Sequence, residues 1–447
     1  MAPYLVWIEL AILLACIVVG SRLGGIGLGA MAGLGLCLFV FGFGLPPGGP
    51  PGTVLGMILA VVTAVALMEA AGGLDTVVRA AERLLRRNPR RVTWLAPLVT
   101  YALIFAAGTQ HVVYALLPVI AEVARKAGVR PERPLSISVI ASQQGLVASP
   151  VSAATVALAG ALAGVDVALP QILVVVIPST LLGVVAGILA VVRRGPELDA
   201  DPEYQRRLGA GELTDAEAGG TGENATRPGA VGSVALFLVA VAAVVAIGLF
   251  PALRPVYEKV AEGVTETGQV EMGRAIMIAM LGASALMMLI CRADPEAAVR
   301  GGVMRGGLVA LINILGVAWL GSSFFEGNET AIVGAISSLV RSAPWIFGLG
   351  LFSLSILLFS QAATVLLLVP VGLALGLPGA LLVGLYPAVN GNFFLPTYGT
   401  VLAAVSFDRT GTTRIGRFLL DHSFMRPGLA ATIVATACSV LLSRVLF

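Results

Sequence analysis

Ten stretches of this chain stay apolar for about 20 residues, long enough to cross a hydrocarbon core roughly 30 Å thick. They fall near 4–20, 25–43, 53–71, 133–158, 170–192, 231–250, 273–291, 306–322, 378–406 and 426–446. Lipid offers no partner to a backbone N–H or C=O, so such stretches must pair internally as α-helices. Composition agrees: 57% of the 447 residues are hydrophobic and 12% charged, where a soluble domain carries about a quarter charged. The fold expected is an all-α polytopic membrane protein. Two further apolar segments, 92–124 and 344–376, are interrupted in the middle by polar or small residues and read as re-entrant hairpins.

The formal charge of +3 and pI of 8.8 do not point to nucleic acid, because the basic residues are sorted by membrane side. With the N-terminus outside, the inner loops take all of the 28 Lys and Arg except Arg254, Lys259, Arg274, Arg341 and Arg444. Positive residues stay cytoplasmic, so the sorting supports this orientation and places both termini outside. Counting either hairpin as a full crossing would move the later loops and destroy it. The start, MAPYLVWIELAILLACIVVG, lacks a basic n-region and reads as a first span rather than a cleaved signal. Cys16, Cys37, Cys291 and Cys438 lie in or beside apolar spans without C-x-x-C spacing and read as buried thiols.

One long hydrophilic stretch, 193–230, is rich in Gly, Glu, Asp and Ala and reads as a mobile cytoplasmic linker. It separates a first unit, 1–192, from a second, 231–447. Each has three spans, an amphipathic segment (74–88 and 325–342), a hairpin, a broken span (133–158 and 378–406) and a last span. In the first amphipathic segment Leu74, Val77, Val78, Ala81, Leu84 and Leu85 share one helical face, opposite a charged face suited to the membrane interface. Each unit crosses five times, an odd number, so the second sits upside down relative to the first. Two inverted repeats of five transmembrane helices are therefore expected, as in many secondary transporters.

The breaks correspond as well. Gln144-Gly145-Leu146-Val147-Ala148-Ser149-Pro150 lies 246 positions before Asn390-Gly391-Asn392-Phe393-Phe394-Leu395-Pro396. GTQHVVYALLPV, from Gly108, lies 252 positions before SQAATVLLLVPV, from Ser360. With 54 Gly and 25 Pro in the chain, a single Gly-x4-Pro would mean little. Two of them, each rich in amides and hydroxyls and each following a similar hairpin, favour duplication. Paired Gly/Pro interruptions point to a transporter's midplane binding site.

The order of parts resembles the ion-transporter superfamily, whose members move substrates by an elevator mechanism. More specifically, AGGLDTVVRAAERLLRRNPRRV, GTQHVVYALLPVIAEVA, RPERPLS, ASPVSAA, IPSTLLG, LGVAWLG, SQAAT, FLPTY and FDRTGTTRIGRF resemble the anaerobic C4-dicarboxylate transporter family (Dcu). HVVY and RPERP look closer to its fumarate–succinate exchangers. The resemblance runs from about residue 5 to the C-terminus and is weakest in the linker. It implies a bacterial inner-membrane protein carrying fumarate, succinate, malate and aspartate, by exchange or by cation-coupled uptake. Gln110 stands where the family pattern suggests glycine, and Gly399 where it suggests proline.

A dianion must exchange its hydration for donors placed inside the bilayer. No Lys or Arg lies in the middle of a hairpin or broken span, so an arginine clamp is not expected. Helix N-termini, each worth about half a positive charge, and small polar side chains remain. Ser149, Ser152, Thr397 and Thr400 flank the breaks; Thr109, Gln110, Ser360, Gln361 and Thr364 sit on the hairpin tips. Any one hydroxyl in a membrane helix commonly bonds only its own backbone, so the clusters weigh more than their members. His111, beside Gln110, could donate to a carboxylate or carry a coupled proton; packing against a helix end is the plainer alternative. His422, before the last span, reads as structural. Glu69 is an acid near a membrane boundary, where interface exposure is the plain reading. Sodium coupling would draw on Gln144, Asn390 and Asn392 with unwound carbonyls, whereas exchange of one dianion for another needs no cation. The run 408–414 reads as a cytoplasmic turn with local ion pairing.

Other classes fit less well. A membrane metalloenzyme or hydrolase needs ligands such as H-E-x-x-H, and the chain has two histidines, 311 positions apart. A symporter for another small organic anion, or a dicarboxylate-binding membrane sensor, would use similar parts. Beyond substrate and lipid, the expected partner is a second copy of the chain, because a homodimeric scaffold can stay still while a carrier unit slides.

Overall fold

The computed structural model describes residues 3–50, 52–165, 167–213, 228–261, 264–343, 345–358, 360–396, 398–416 and 421–447. The first half runs α1 (Pro3–Leu23), α2 (Gly27–Cys37, continued by a π turn over Leu38–Gly42), α3 (Gly52–Ala70), α4 (Gly73–Arg87), α5 (Val92–Ala107) and α6 (Val113–Lys126). It continues with α7 (Glu132–Ala148), α8 (Ala153–Leu162), α9 (Leu169–Val191) and a short α10 (Pro202–Gly209). The second half has α11 (Ala230–Leu249), α12 (Met272–Cys291), α13 (Pro295–Arg300), α14 (Gly302–Ser342), α15 (Trp345–Leu358) and α16 (Gln361–Ala374). It ends with α17 (Gly379–Leu385), α18 (Gly399–Phe407) and α19 (Met425–Leu446).

Among the described residues, six helical segments are long and apolar enough to cross a membrane: α7–α8 together, α9, α11, α12, α14 and α19. The expected spans 4–20 and 25–43 fall on α1 and α2, whose apolar lengths are shorter. Span 53–71 is α3, which meets α4 at a 71° bend. Span 378–406 is the interrupted pair α17–α18.

The bend after α3 turns α4 into the amphipathic helix its spacing predicts. Leu74, Val78, Ala81 and Leu85 are buried, while Arg83, Arg86 and Arg87 are exposed. The counterpart differs. The expected separate segment 325–342 is continuous with the preceding span in α14, 41 residues long. No proline falls between 302 and 342 and no described glycine there has a positive φ, so nothing stops the helix. The chain is also not wholly α: β1 (Val256–Ala261) pairs antiparallel with β2 (Val264–Gln269) in the loop between α11 and α12. Its Val, Tyr and Thr residues favour a strand, and a hairpin this short falls outside a search for long apolar runs.

The helices pack as two groups. The first comprises α1, α2, α3, α11, α12 and α14; the second comprises α5 to α9 with α15 to α19. Small residues let backbones meet where no hydrophobic force between helices exists in lipid. In the first group a Cβ at Gly29 would lie 2.4 Å from the Ile312 carbonyl of α14. In the second, one at Gly183 of α9 would lie 2.6 Å from the Ala431 carbonyl of α19. The groups meet through α14 against α16, α3 against α8, α11 against α9 and α1 against α15, and α4 touches both.

Four smaller expectations need correction. The first part of the linker is docked, not free. Arg130 hydrogen-bonds Asp201, and Arg133 reaches the Glu197 carboxylate at 2.9 Å and the Arg194 carbonyl at 2.9 Å. Arg207 of α10 donates to the Arg409 carbonyl at 3.0 Å. Acids that read as solvating charge are thus partners of the arginines in RPERP; residues 214–227 lie outside the described set. Asp408 makes hydrogen bonds rather than ion pairs, accepting from the Thr410 and Thr412 hydroxyls and the Thr413 amide. Of the thiols, Cys16 and Cys291 are buried, Cys438 is half-buried, and Cys37 is exposed on α2. Glu69 is more than an exposed acid, since its Oε2 accepts from the Val303 amide at 3.2 Å and caps α14. Glu9, an acid inside the first apolar span, is fully buried on α1 and accepts from Asn328 Nδ2 at 2.5 Å.

Candidate substrate site

Each hairpin has a distinct device at its tip. α5 closes at Gly108 with φ 65°, a left-handed conformation that favours glycine, and the chain makes a short 3-10 turn, Gln110–Val112, before α6. In the second hairpin, Ser360 caps α16. Its Oγ accepts from the Ala363 amide at 3.2 Å, and Thr364 Oγ1 donates to the Ser360 carbonyl at 2.8 Å.

The first break lies between α7 and α8. Ser149 is extended, with its Oγ accepting from the Val151 amide at 3.4 Å. Ser152 caps α8 by accepting from Thr155 N at 3.2 Å. Thr155 Oγ1 in turn donates to the Val147 carbonyl at 2.8 Å and lies 3.1 Å from the Tyr386 hydroxyl of the other half. In the second break a 3-10 turn, Tyr386–Val389, leads into an irregular stretch before α18. Gly391 N donates to Ser355 Oγ of α15 at 2.9 Å, and His422 Nε2 lies 3.1 Å from the Phe394 carbonyl. His422 is thus structural in what it touches: it holds the second break from outside.

The two tips and two breaks enclose a cavity of about 210 Å³, small beside the roughly 300–1,000 Å³ of drug-sized sites. Its walls include Thr109 and Gln110 of the first tip, Ser360 and Gln361 of the second, and Val151, Asn392 and Tyr398 from the breaks. Residues of α3 and α14, among them Val61 and Gly307, close it from the other helical group. No charged side chain lines it among the described residues. The N-termini of α8, α16 and α18 border it through Ala153, Gln361 and Tyr398, and each carries partial positive charge.

Buried polar atoms without partners occur on this wall, at Gln110, Gln361 and Asn392, and in the segments behind it. Of seventeen among the described residues, nine belong to Gln110, Gln143, Gln144, Gln361, Asn390, Asn392 and Thr400. Such atoms are few in folded proteins and call for a ligand or water. Gln361 Nε2 donates to Asn390 Oδ1 and, at 3.3 Å, to the Gln143 carbonyl, tying the second tip to both breaks.

Thr109, Gln110, Ser360, Gln361 and Asn392 therefore come together on the cavity wall. Ser149, Ser152, Thr364, Thr400, Gln144 and Asn390 are buried but off that wall; Ser152 and Thr364 spend their hydroxyls on local backbone. Thr397 and the His111 side chain lie outside the described residues. Reading the sequence missed Tyr398, Tyr386 and Gln143. FLPTY and the Gln143-Gln144 pair were visible, but only the fold turns a phenol across the gap to the opposite hairpin.

Six helical segments long and apolar enough to cross a membrane, packed around a largely apolar cavity with amides and hydroxyls on its wall, define a multi-pass helical membrane protein. The chain belongs to the anaerobic C4-dicarboxylate membrane transporter family, whose model matches residues 5–447. C4-dicarboxylate transporter DcuA of Wolinella succinogenes is 39% identical over 98% of this chain and 99% of that protein. DcuA of Escherichia coli K12 is 41% identical, covering 97% and 98%. The anaerobic C4-dicarboxylate transporter DcuB of E. coli O6:H1 is 38% identical, covering 96% of each chain. A solved structure of Neisseria gonorrhoeae MtrF, from a study of antimetabolite efflux pumps, matches with a TM-score of 0.55 at 14% identity. It covers 86% of this chain and 80% of that one, and the likeness concerns the fold alone. The protein is a transporter, not an enzyme.

Proposed function

We propose that this protein carries C4-dicarboxylates such as fumarate, succinate, malate and aspartate across the bacterial inner membrane, exchanging one dianion for another. The observation that carries this reading is the cavity itself. It is small, no charged side chain lines it among the described residues, three helix N-termini border it, and three buried amides with unspent hydrogen-bonding atoms, Gln110, Gln361 and Asn392, stand on its wall. Carboxylate oxygens are acceptors only, so backbone N–H groups at those N-termini and Gln110 Nε2 are the groups that would receive them.

Alternating access would follow from two inverted repeats, 1–192 and 231–447, working as an elevator. The second helical group would move as the carrier, while α1, α2, α3, α11, α12 and α14 form a scaffold that dimerises in the membrane. A structural correspondence supports the duplication: Gly145 and Gly391, 246 positions apart, each face the first helix of their own hairpin. A Cβ at Gly145 would lie 2.7 Å from the Tyr101 carbonyl, and one at Gly391 2.6 Å from the Phe352 carbonyl. Sorting of the basic residues supports termini outside. The test is counterflow of labelled fumarate in proteoliposomes, competed by acids of two to six carbons. Uptake driven by internal succinate is expected, with competition sharpest at four carbons; uptake indifferent to internal dicarboxylate would refute exchange.

A further inference from the structure

Gln110 and Tyr398 come from different halves of the chain, yet the Tyr398 phenol donates to Gln110 Oε1 at 2.7 Å. Both residues line the cavity, and Asn392 of the second break stands on the same wall. Two atoms of the set are buried without partners, Gln110 Nε2 and Asn392 Oδ1. The Gln110 amide therefore has one sense: its Oε1 takes the Tyr398 O–H, and its Nε2 is left for the cavity. The phenol is well anchored. Tyr398 is the N-cap of α18, and a Cβ at Gly399 would lie 2.5 Å from Tyr114 Oη, so α6 packs directly against the start of that helix.

We propose that Tyr398 is a positioning residue that fixes the polarity of the Gln110 amide, so that the first hairpin tip offers the cavity an N–H donor and never a carbonyl. An amide has two nearly isosteric ends, one of which attracts a carboxylate while the other repels it. A phenol bonded to its oxygen removes that ambiguity. The consequence is discrimination between a carboxylate and its own amide: an ionised oxygen is accepted against Gln110 Nε2, and an NH2 group of the same shape meets a second donor. This deepens the dicarboxylate reading and rests on it.

The test compares succinate with its monoamide, succinamate, as competitors of labelled succinate counterflow by the reconstituted full-length protein. Wild type should favour succinate, and Tyr398→Phe should shrink that preference by about tenfold, the scale of one hydrogen bond to a charged group. Thermal stability in detergent checks that the variant is folded. Gln110→Glu keeps an acceptor for the phenol but turns an anionic oxygen to the cavity, so in direct binding to the purified variant succinate should weaken and succinamate should bind the better of the two. A wild-type protein that exchanges no dicarboxylate would overturn the functional reading and this proposal together. Normal exchange by wild type, with an unchanged succinate-to-succinamate ratio in Tyr398→Phe or succinate still favoured in Gln110→Glu, would overturn the positioning role alone.

Discussion

Ser423 donates through Oγ to Glu132 Oε1 at 2.8 Å, joining residues 291 positions apart. Around that carboxylate stand Arg130, with Nε 2.7 Å from Oε2, and Arg194, with Nε 3.3 Å from Oε1. Glu132 N bonds Thr412 Oγ1 at 3.2 Å. The loop before α7, the start of the linker and the loop before α19 thus share one buried carboxylate. Removing one partner of such a set leaves a charge stranded. Glu132→Gln should therefore destabilise the protein by about 3–5 kcal/mol, read as a large fall in thermal midpoint in detergent. Ser423→Ala, which leaves the ion pairs intact, should cost roughly 1.5–3 kcal/mol. Equal midpoints for wild type and Glu132→Gln would dismiss the clasp.

The hydroxyls and amides of the site divide into two kinds. Ser152 is committed to capping α8, so Ser152→Ala should lower stability by about 1 kcal/mol and leave dicarboxylate affinity nearly unchanged. Gln110 lines the cavity with a free donor, so Gln110→Ala should weaken binding by roughly 1.5–3 kcal/mol. Competition binding and thermal unfolding on the same two variants measure both. A reversed pattern would move the site from the hairpin tip to the break.

Glycine at 145 and 391 keeps each break against its hairpin. In both, an added Cβ would meet a main-chain oxygen closer than 3 Å, and a backbone carbonyl cannot rotate aside as a side chain does. Overpacking of this kind costs about 1–3 kcal/mol and would widen the break. Gly145→Ala and Gly391→Ala should each lose most counterflow activity, while Gly33→Ala, with open space around it, should keep it. Activity retained in both break variants would show that the close approach does not matter to transport.

His422 supplies a pH dependence outside the membrane helices. Burial pushes its imidazole below the ordinary value of 6.5, with the hydrogen bond to the Phe394 carbonyl working the other way. Nδ1 accepts from the Phe424 amide at 3.3 Å, a bond the protonated ring cannot make. Because the folded pKa is the lower one, the unfolded chain binds the extra proton first. This contribution to stability is whole above pH 6.5 and is lost as pH falls below it through the folded value. Thermal midpoints of wild type should decline on that acid side more steeply than those of His422→Gln; parallel declines would remove His422 from the account.

Most of the fold was legible because lipid leaves so few options. Apolar length matches six membrane-crossing segments among the described residues, and the polar interruptions fall where α5 turns into α6, α15 into α16, and where the helices stop between α7 and α8 and between α17 and α18. What stayed hidden was decided by contacts between distant residues. Nothing local in Glu326 or Glu329 says whether α14 ends before them, and the acids of the linker look solvating until Arg130 and Arg133 are placed beside them. At the site, composition and spacing picked out Gln110, Gln361 and Asn392 as polar groups at depth. They could not separate Ser152, which caps its own helix, from a binding hydroxyl. Tyr398 reads as one more aromatic after a proline until α18 starts beneath α6.

The elevator reading makes a directional prediction at the tips. Gln110 and Ala362 both line the cavity, but the proposed inversion brings one hairpin in from the cytoplasm and the other from outside. A cysteine at each position is introduced separately, in a background where Cys16, Cys37, Cys291 and Cys438 are replaced. Impermeant thiol reagents are applied to right-side-out and inside-out vesicles. Residues of α3 and α14 line the cavity opposite the tips, so on the elevator reading each tip would gain or lose access to solvent as the carrier group moved past them. Substrate should therefore shift the two labelling rates in opposite senses from the two faces. Labelling of both tips from the same face, with and without dicarboxylate, would rule out the inverted topology and the elevator with it.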